Sequence, residues 1–183
     1  MIKSYYQQKF PKLNVDKQYY LREQSLQDAQ DFFRYYTDEE VGKYILATKP
    51  KTIAEASAEI TYCRNLFYQQ QGIYWTLARH DNNQMVGAIG LYINNHHHRA
   101  ELCYDLDRQY WRQGLMHKAL GIVLRHSFRN IGLSRVEAIT VQANVASIKI
   151  LEKLGFAHEG TLRHYRWFQN ASHDIEIYSL ISP

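Results

Sequence analysis

Cysteine and proline are scarce in this chain of 183 residues, which has only two of the former, Cys63 and Cys103, and three of the latter. The two cysteines fall at no metal-binding or redox spacing, which excludes those chemistries and makes a reducing cytoplasm the expected compartment. No apolar run approaches the ~18 residues of a spanning helix, so no membrane partner is expected. Residues Met1 to Tyr6 lack the apolar core and small-residue cleavage site of a signal peptide. Linkers, repeats and low-complexity tracts are absent, as are the basic runs and interleaved aromatics that would argue for a nucleic-acid partner. What is present is ordinary globular material, 45% apolar and 22% charged, enough for a single core. A net charge of +4 adds a mild bias toward anions, which by itself suits a polyphosphate ligand as well as it suits nucleic acid.

The elements alternate between strand and helix patterns. Residues 1–16 read as an irregular arm and 17–183 as one domain. Tyr19 to Glu23 form a first strand, and Ser25 with Asp28 opens a helix as a capping pair. A short helix is expected over Asp38 to Leu46. A longer one starts at Thr52, with Glu55 reaching back, and stops at Gly72. Ile73 to Arg79 and Met85 to Ile93 make a hairpin across Asp81-Asn82-Asn83. Strands clustered before one central helix and again after residue 134 imply an α+β fold, with a mixed, mostly antiparallel sheet flanked by helices.

The central motif is Tyr110-Trp111-Arg112-Gln113-Gly114-Leu115-Met116-His117. It follows an alternating strand, Ala100 to Leu106, and opens an amphipathic helix running to about Phe128. A helix start after glycine carries unpaired backbone N–H groups and the positive end of a dipole, which together can cradle phosphate oxygens. A turn that merely needs a positive φ gives the same pattern. Downstream, Asn144 can cap a helix carrying Ser147 in its first turn, and Leu154-Gly155-Phe156 ends that helix before another strand.

Taken together, Trp111-Arg112-Gln113-Gly114-Leu115-Met116, Asn144-x-x-Ser147, Leu154-Gly155-Phe156, Glu101-Leu102-Cys103-Tyr104, Glu159-Gly160-Thr161-Leu162-Arg163 and Asp174 resemble the GNAT N-acetyltransferases. The similarity covers about residues 17 to 181 and is strongest to the RimJ/RimL-like branch, the ribosomal-protein N-terminal acetyltransferases. The resemblance implies the GNAT fold, with a splay between the strand ending at Leu106 and the strand ending near Gln142. It implies acetyl-CoA as cosubstrate, with no metal. Asp105 and Leu106 would meet pantetheine through their backbone, while Arg112, Gln113, Gly114, Leu115, Met116 and His117 hold the pyrophosphate. Asn144 and Ser147 would lie beside the cofactor, with Ser147 as acid at the thiolate. Many GNAT enzymes use a tyrosine one turn later, where this chain has Leu151. Met116 in place of a small residue implies a bulkier loop wall, and Cys103 replaces a strand glycine.

Acetyl transfer to an amine needs a neutral amine, an oxyanion donor and a proton for the leaving thiolate. Glu101 is the first candidate base, and Asp105 shares its strand face by the two-residue period. Two carboxylates there would attract a cationic amine. Glu159 and Asp174 are more distant candidates, and Asp174 is expected to close a structural hydrogen bond from a loop. His96-His97-His98 are assigned to a turn rather than a metal site. Tyr165, Trp167 and Phe168 either line the acceptor cleft or pack. The leading acceptor is a protein N-terminal α-amine, used by a monomer or homodimer in the cytoplasm. The alternatives are a small amine (polyamine or aminoglycoside) as acceptor, or a non-catalytic acyl-CoA-binding module, which thiol release from acetyl-CoA would distinguish.

Overall fold

The computed structural model describes residues 2–168 and 170–183. One sheet of eight strands organises it, in the order β1-β2-β3-β4-β5-β6-β8-β7. The strands are β1 (Leu13–Asn14), β2 (Tyr19–Glu23), β3 (Gly72–Arg79), β4 (Met85–Asn94), β5 (Arg99–Leu106), β6 (Arg135–Thr140), β7 (Ala157–Phe168) and β8 (Ala171–Ile181). All neighbours run antiparallel except β5 and β6, which are parallel. Their pairing covers only Arg99↔Arg135, Ala100↔Val136 and Glu101↔Glu137, and beyond Glu101 the two strands diverge. This is the splay that the family resemblance implies.

The helices are α1 (Ile2–Tyr5), α2 (Ala29–Tyr36), α3 (Glu39–Gly42), α4 (Ile53–Tyr68), α5 (Leu115–His126) and α6 (Val145–Lys153). They cover both faces of the sheet. On one face, Leu115, Met116, Leu120 and Val123 of α5 and Leu151 of α6 share a buried core with Ala100, Leu102 and Ile89. On the other, Phe32 and Tyr35 of α2 and Ile60 of α4 pack with Met85 and Ala88. Each full burial of such a side chain contributes about 1.5–3 kcal/mol.

Local signals set most boundaries. The Ser25–Asp28 capping box forms on a short 3-10 turn that leads into α2. The Thr52 hydroxyl accepts from the Glu55 N–H at 3.1 Å, while Glu55 reaches back to the N–H of Lys51. The triple histidine lies in the turn between β4 and β5, where Asn94 Oδ1 accepts from the N–H groups of His96 and His97. Three expectations change. The long helix ends at Tyr68, with Gln70 at φ 58° and Gly72 already in β3. The helix after Asp38 is a single turn, and the arm is not wholly irregular. Its first residues form α1, whose Ile2 and Tyr5 are buried in the main core, and Tyr5 meets His126 Nε2 at 2.9 Å. Tertiary docking, not local propensity, orders that segment. Among the described residues no helix is long and apolar enough to cross a membrane.

Candidate active site

The loop from Arg112 to His117 has the backbone that its sequence requires. Gly114 is the N-cap of α5 at φ 73° and, having no side chain, leaves the first-turn N–H groups uncapped. The first intrahelical bond runs from the Lys118 N–H to the Gly114 carbonyl, so the amides of Leu115, Met116 and His117 precede the helical ladder. Nothing lies within 4 Å of a Cβ placed on Gly114, so it is the backbone angle and not crowding that favours glycine. Arg112 also holds a positive φ, of 59°. Trp111 pins the loop to the end of β5, its indole donating to the Leu106 carbonyl at 2.8 Å. Arg112, Gln113, Gly114 and His117 are exposed. Met116 does not form the bulky loop wall expected of it, because its side chain turns into the core and is only 4% exposed. The second position of this helix faces the sheet.

At the splay, β5 presents two chemically different faces. The Asp107 N–H donates to Val86 of β4, and backbone direction alternates along a strand. The backbone groups of Leu102, Tyr104 and Leu106 therefore turn toward the open side, whereas Asp105 pairs with Ala88 of β4. The Leu106 carbonyl is taken by the Trp111 indole; the remaining open-side groups need partners, and an amide-bearing chain lying in the gap can supply them. The Tyr104 side chain crosses to α6, where its hydroxyl lies 2.7 Å from Ser147 Oγ. Asn144 caps α6 by accepting from the Ser147 N–H at 3.2 Å, which fixes the serine in the first turn. Burial pushes the Tyr104 hydroxyl up to about 12, with the serine contact opposing that rise. Tyr104 joins the candidate site from a position that the alternation of β5 marks as apolar core. The signal for it was its place two residues beyond Leu102 on the side that later meets the Asn144-x-x-Ser147 helix.

On the opposite face, Glu101, Cys103 and Asp105 line up. Glu101 is half-buried, which raises its pKa, and Arg166 at 4.0 Å opposes that rise. Its neighbour Glu137, and Glu159 beyond it, are taken up by arginines: Arg99 and Arg135 bind Glu137, and Arg135 grips Glu159 with contacts of 2.5 and 2.7 Å. The Arg135 guanidinium holds the Glu159 carboxyl at about 2, which unsuits it as a base near neutral pH. Asp105 Oδ1 accepts from the Tyr35 hydroxyl at 2.6 Å and from the Ala88 N–H at 3.2 Å. Burial nevertheless raises Asp105 to about 7. Cys103 is pushed up to about 12 by burial, so it remains a thiol at neutral pH. Asp174 accepts from the His164 N–H at 2.8 Å, the structural bond expected of it, although it stands within β8 and not in a loop. Tyr165 and Trp167 are 55% and 73% exposed, while Phe168 stacks on His173.

The arrangement thus combines a helix start with uncapped amides, an open strand edge, a hydroxyl pair at that edge and carboxylates on the far face. Comparison with known proteins supplies the family. Residues 19–157 match the family described as Acetyltransferase (GNAT) domain. An uncharacterised N-acetyltransferase of Bacillus subtilis (strain 168), YoaA, is 32% identical over 175 residues, covering 95% of this chain and 98% of that protein. The [ribosomal protein uS5]-alanine N-acetyltransferase of Escherichia coli (strain K12) is 25% identical over 122 residues, covering 65% of this chain and 63% of that one. Among solved structures, a RimL ribosomal L7/L12 α-N-protein acetyltransferase in complex with coenzyme A superposes with a TM-score of 0.83. It is 17% identical and covers 93% of this chain and 98% of its own, a likeness of fold. On these grounds the chain belongs to the GNAT family of N-acetyltransferases.

Proposed function

We propose that this enzyme transfers acetyl from acetyl-CoA to the α-amine of a protein N-terminus, in the cytoplasm. The observation that carries the acceptor class is the surface beside Glu101. Arg166, 4.0 Å from Glu101, is flanked on the edge strand β7 by Tyr165 and Trp167, 55% and 73% exposed. An edge strand with unpaired backbone groups and projecting aromatics suits an extended peptide. The likeness to enzymes named for uS5-alanine and L7/L12 N-terminal acetylation supports the same acceptor.

In this reading the amides of Leu115, Met116 and His117, with Arg112 and Gln113 nearby, hold the cofactor's diphosphate. The open edge of β5 at Leu102, Tyr104 and Leu106 holds the pantetheine arm. Glu101 takes the proton from the incoming ammonium, so that the neutral amine attacks the thioester carbonyl directly in a ternary complex. As the tetrahedral centre collapses and the C–S bond breaks, Ser147 gives its proton to the thiolate. Tyr104 returns a proton to Ser147 across their 2.7 Å contact, and the second proton that the acetylated nitrogen sheds passes through water to restore Tyr104, while Glu101 releases its own to solvent. Asn144 orients Ser147 through the helix cap.

The test is a set of peptides carrying a lysine, offered with the α-amine free or blocked, alongside small polyamine and aminoglycoside acceptors. The expected result is an acetyl mass increment on the free α-amine alone. Acetylation of the small amines in preference to every peptide would overturn the assignment.

A further inference from the structure

The outer hairpin of the sheet does not continue its plane. Glu101 shares a register row with Glu137 of β6 and Ser179 of β8. Arg166 of β7 pairs with His173, which precedes Ser179 by six residues of β8, about 20 Å of straight strand. Its guanidinium nevertheless comes to 4.0 Å from Glu101. The ribbon beyond Leu162 therefore bends back over the far face of β5, and the register shifts in β7 between His158 and Gly160 and between Leu162 and Arg166 supply the bends. Pairing of β8 with β6 ends at Glu176, so β7 and β8 alone build this ribbon. Its surface charge is mostly of one sign. Arg163 and Arg166 are exposed, and the one acid between Leu162 and Ile175, Asp174, is engaged by the His164 N–H. Among the described residues, Glu101 is the only carboxylate within 4.0 Å of the Arg166 guanidinium.

That single pairing is lost during the reaction. An incoming ammonium meets the Arg166 guanidinium as a like charge, and once Glu101 has taken its proton the carboxyl is neutral and Arg166 has no counter-charge. A carboxylate carried by the acceptor offsets both effects. We propose that Arg166 is a specificity-determining residue that selects N-termini bearing an aspartate or glutamate within their first two residues. The α-amine then lies on Glu101 and the acidic side chain on Arg166, groups 4.0 Å apart. Successive residues of an extended chain advance by ~3.3 Å, so a carboxylate beyond the second residue overshoots the guanidinium. Arg163, on the same ribbon, adds to the positive field. Acceptors with a second positive charge near the amine are selected against by the same arginines. The inference rests on the reading that the acceptor is the α-amine of a protein N-terminus.

Calorimetric titration of the CoA-loaded protein tests it without requiring turnover. The probes are peptide amides with a free α-amine that differ at one residue, glutamate, glutamine or lysine, placed second in one set and first in another. Amidation removes the competing C-terminal carboxylate. The expected order in at least one set is glutamate over glutamine over lysine, by roughly fivefold at each step, the scale of a half-exposed ion pair. Salt at about 0.5 M should compress that order. Arg166→Gln should make the glutamate and glutamine peptides equal, and Arg166→Glu should bring the lysine peptide to the front. Each comparison is made between peptides on one variant, so a general loss of affinity or a shifted Glu101 does not imitate the result. Equal affinities for all peptides on the wild type, or an order that survives Arg166→Gln, would overturn the assignment. Acetyl transfer to every α-amine without discrimination overturns the specificity alone. Ordered binding with no acetylation of any peptide would contradict the proposed function and leave the role of Arg166 standing.

Discussion

The Tyr104 hydroxyl and Ser147 Oγ, 2.7 Å apart, tie the diverging end of β5 to the first turn of the helix that follows β6. Ser147 is 9% exposed, so its proton has one well-defined neighbour. If the two act as a relay, their removal is not additive. Ser147→Ala should lower kcat by roughly 100-fold, the lower range for a positioned general acid, while acetyl-CoA affinity stays within a few fold. Tyr104→Phe should cost less, and the double variant should resemble Ser147→Ala alone. Losses that multiply independently would show two separate roles.

Gly114 should be more sensitive than the charged residue beside it. Proline cannot adopt the φ of 73° found there, and glutamate brings negative charge to the uncapped amides. Gly114→Pro and Gly114→Glu should therefore weaken acetyl-CoA binding by calorimetry far more than Arg112→Ala. Equal losses for all three would refute binding through main-chain donors.

Glu101→Gln should depress activity most at neutral pH and recover as the amine loses its own proton unaided. An α-amine titrates near ~8 and an alkylamine near ~10, so the range of recovery also reports the acceptor class. A deficit independent of pH would exclude Glu101 as the base.

Arg166 provides a finer check on the same carboxylate. Its guanidinium, 4.0 Å away and 44% exposed, opposes the rise in Glu101 pKa caused by burial. In Arg166→Ala the Glu101 pKa should rise further, moving the acid limb of kcat/KM to higher pH. An unmoved limb would mean that another group controls it.

Asp105 connects the site to stability. Its pKa in the fold, about 7, lies above the ~3.9 of an unfolded aspartate, so the native state binds the proton more tightly. Its ionisation therefore costs nothing below about pH 4, destabilises increasingly as pH rises toward 7, and levels off above. Asp105→Asn keeps an oxygen for Tyr35 and Ala88 but has no charge to bury. The melting temperature of the variant should match the wild type near pH 4 and exceed it at pH 8, with a gain in unfolding free energy on the order of 4 kcal/mol at most. Destabilisation of the variant at pH 8 would contradict the buried ionisation.

The legible parts of the site were those set within a few residues of one another. Gly114 announces a turn and an uncapped helix start, and Asn144 with Ser147 announces a capped first turn; both needed only neighbouring residues. The parallel pair at the splay followed from family resemblance, since no local pattern tells a strand where to leave its partner. Contacts across the fold were not legible. Tyr104 meets Ser147 across a separation of 43 residues, and Tyr35 meets Asp105 across 70. Both depend on which helix packs on which face. Met116 lies in the core and not in a loop wall because helix phase, which turns its side chain inward, is fixed by tertiary packing. The arm was read as irregular because four residues of helix have no stability until Ile2 and Tyr5 are buried.

A crystal structure of the complex with acetyl-CoA tests the catalytic assignment most directly. The result expected is a diphosphate on the amides of Leu115, Met116 and His117, with the thioester sulfur within about 3.5 Å of Ser147 Oγ or the Tyr104 hydroxyl, a hydrogen bond to sulfur being somewhat longer than one to oxygen. A sulfur on the far face of β5, or one with neither hydroxyl beside it, would contradict the assignment of Ser147 as the proton donor.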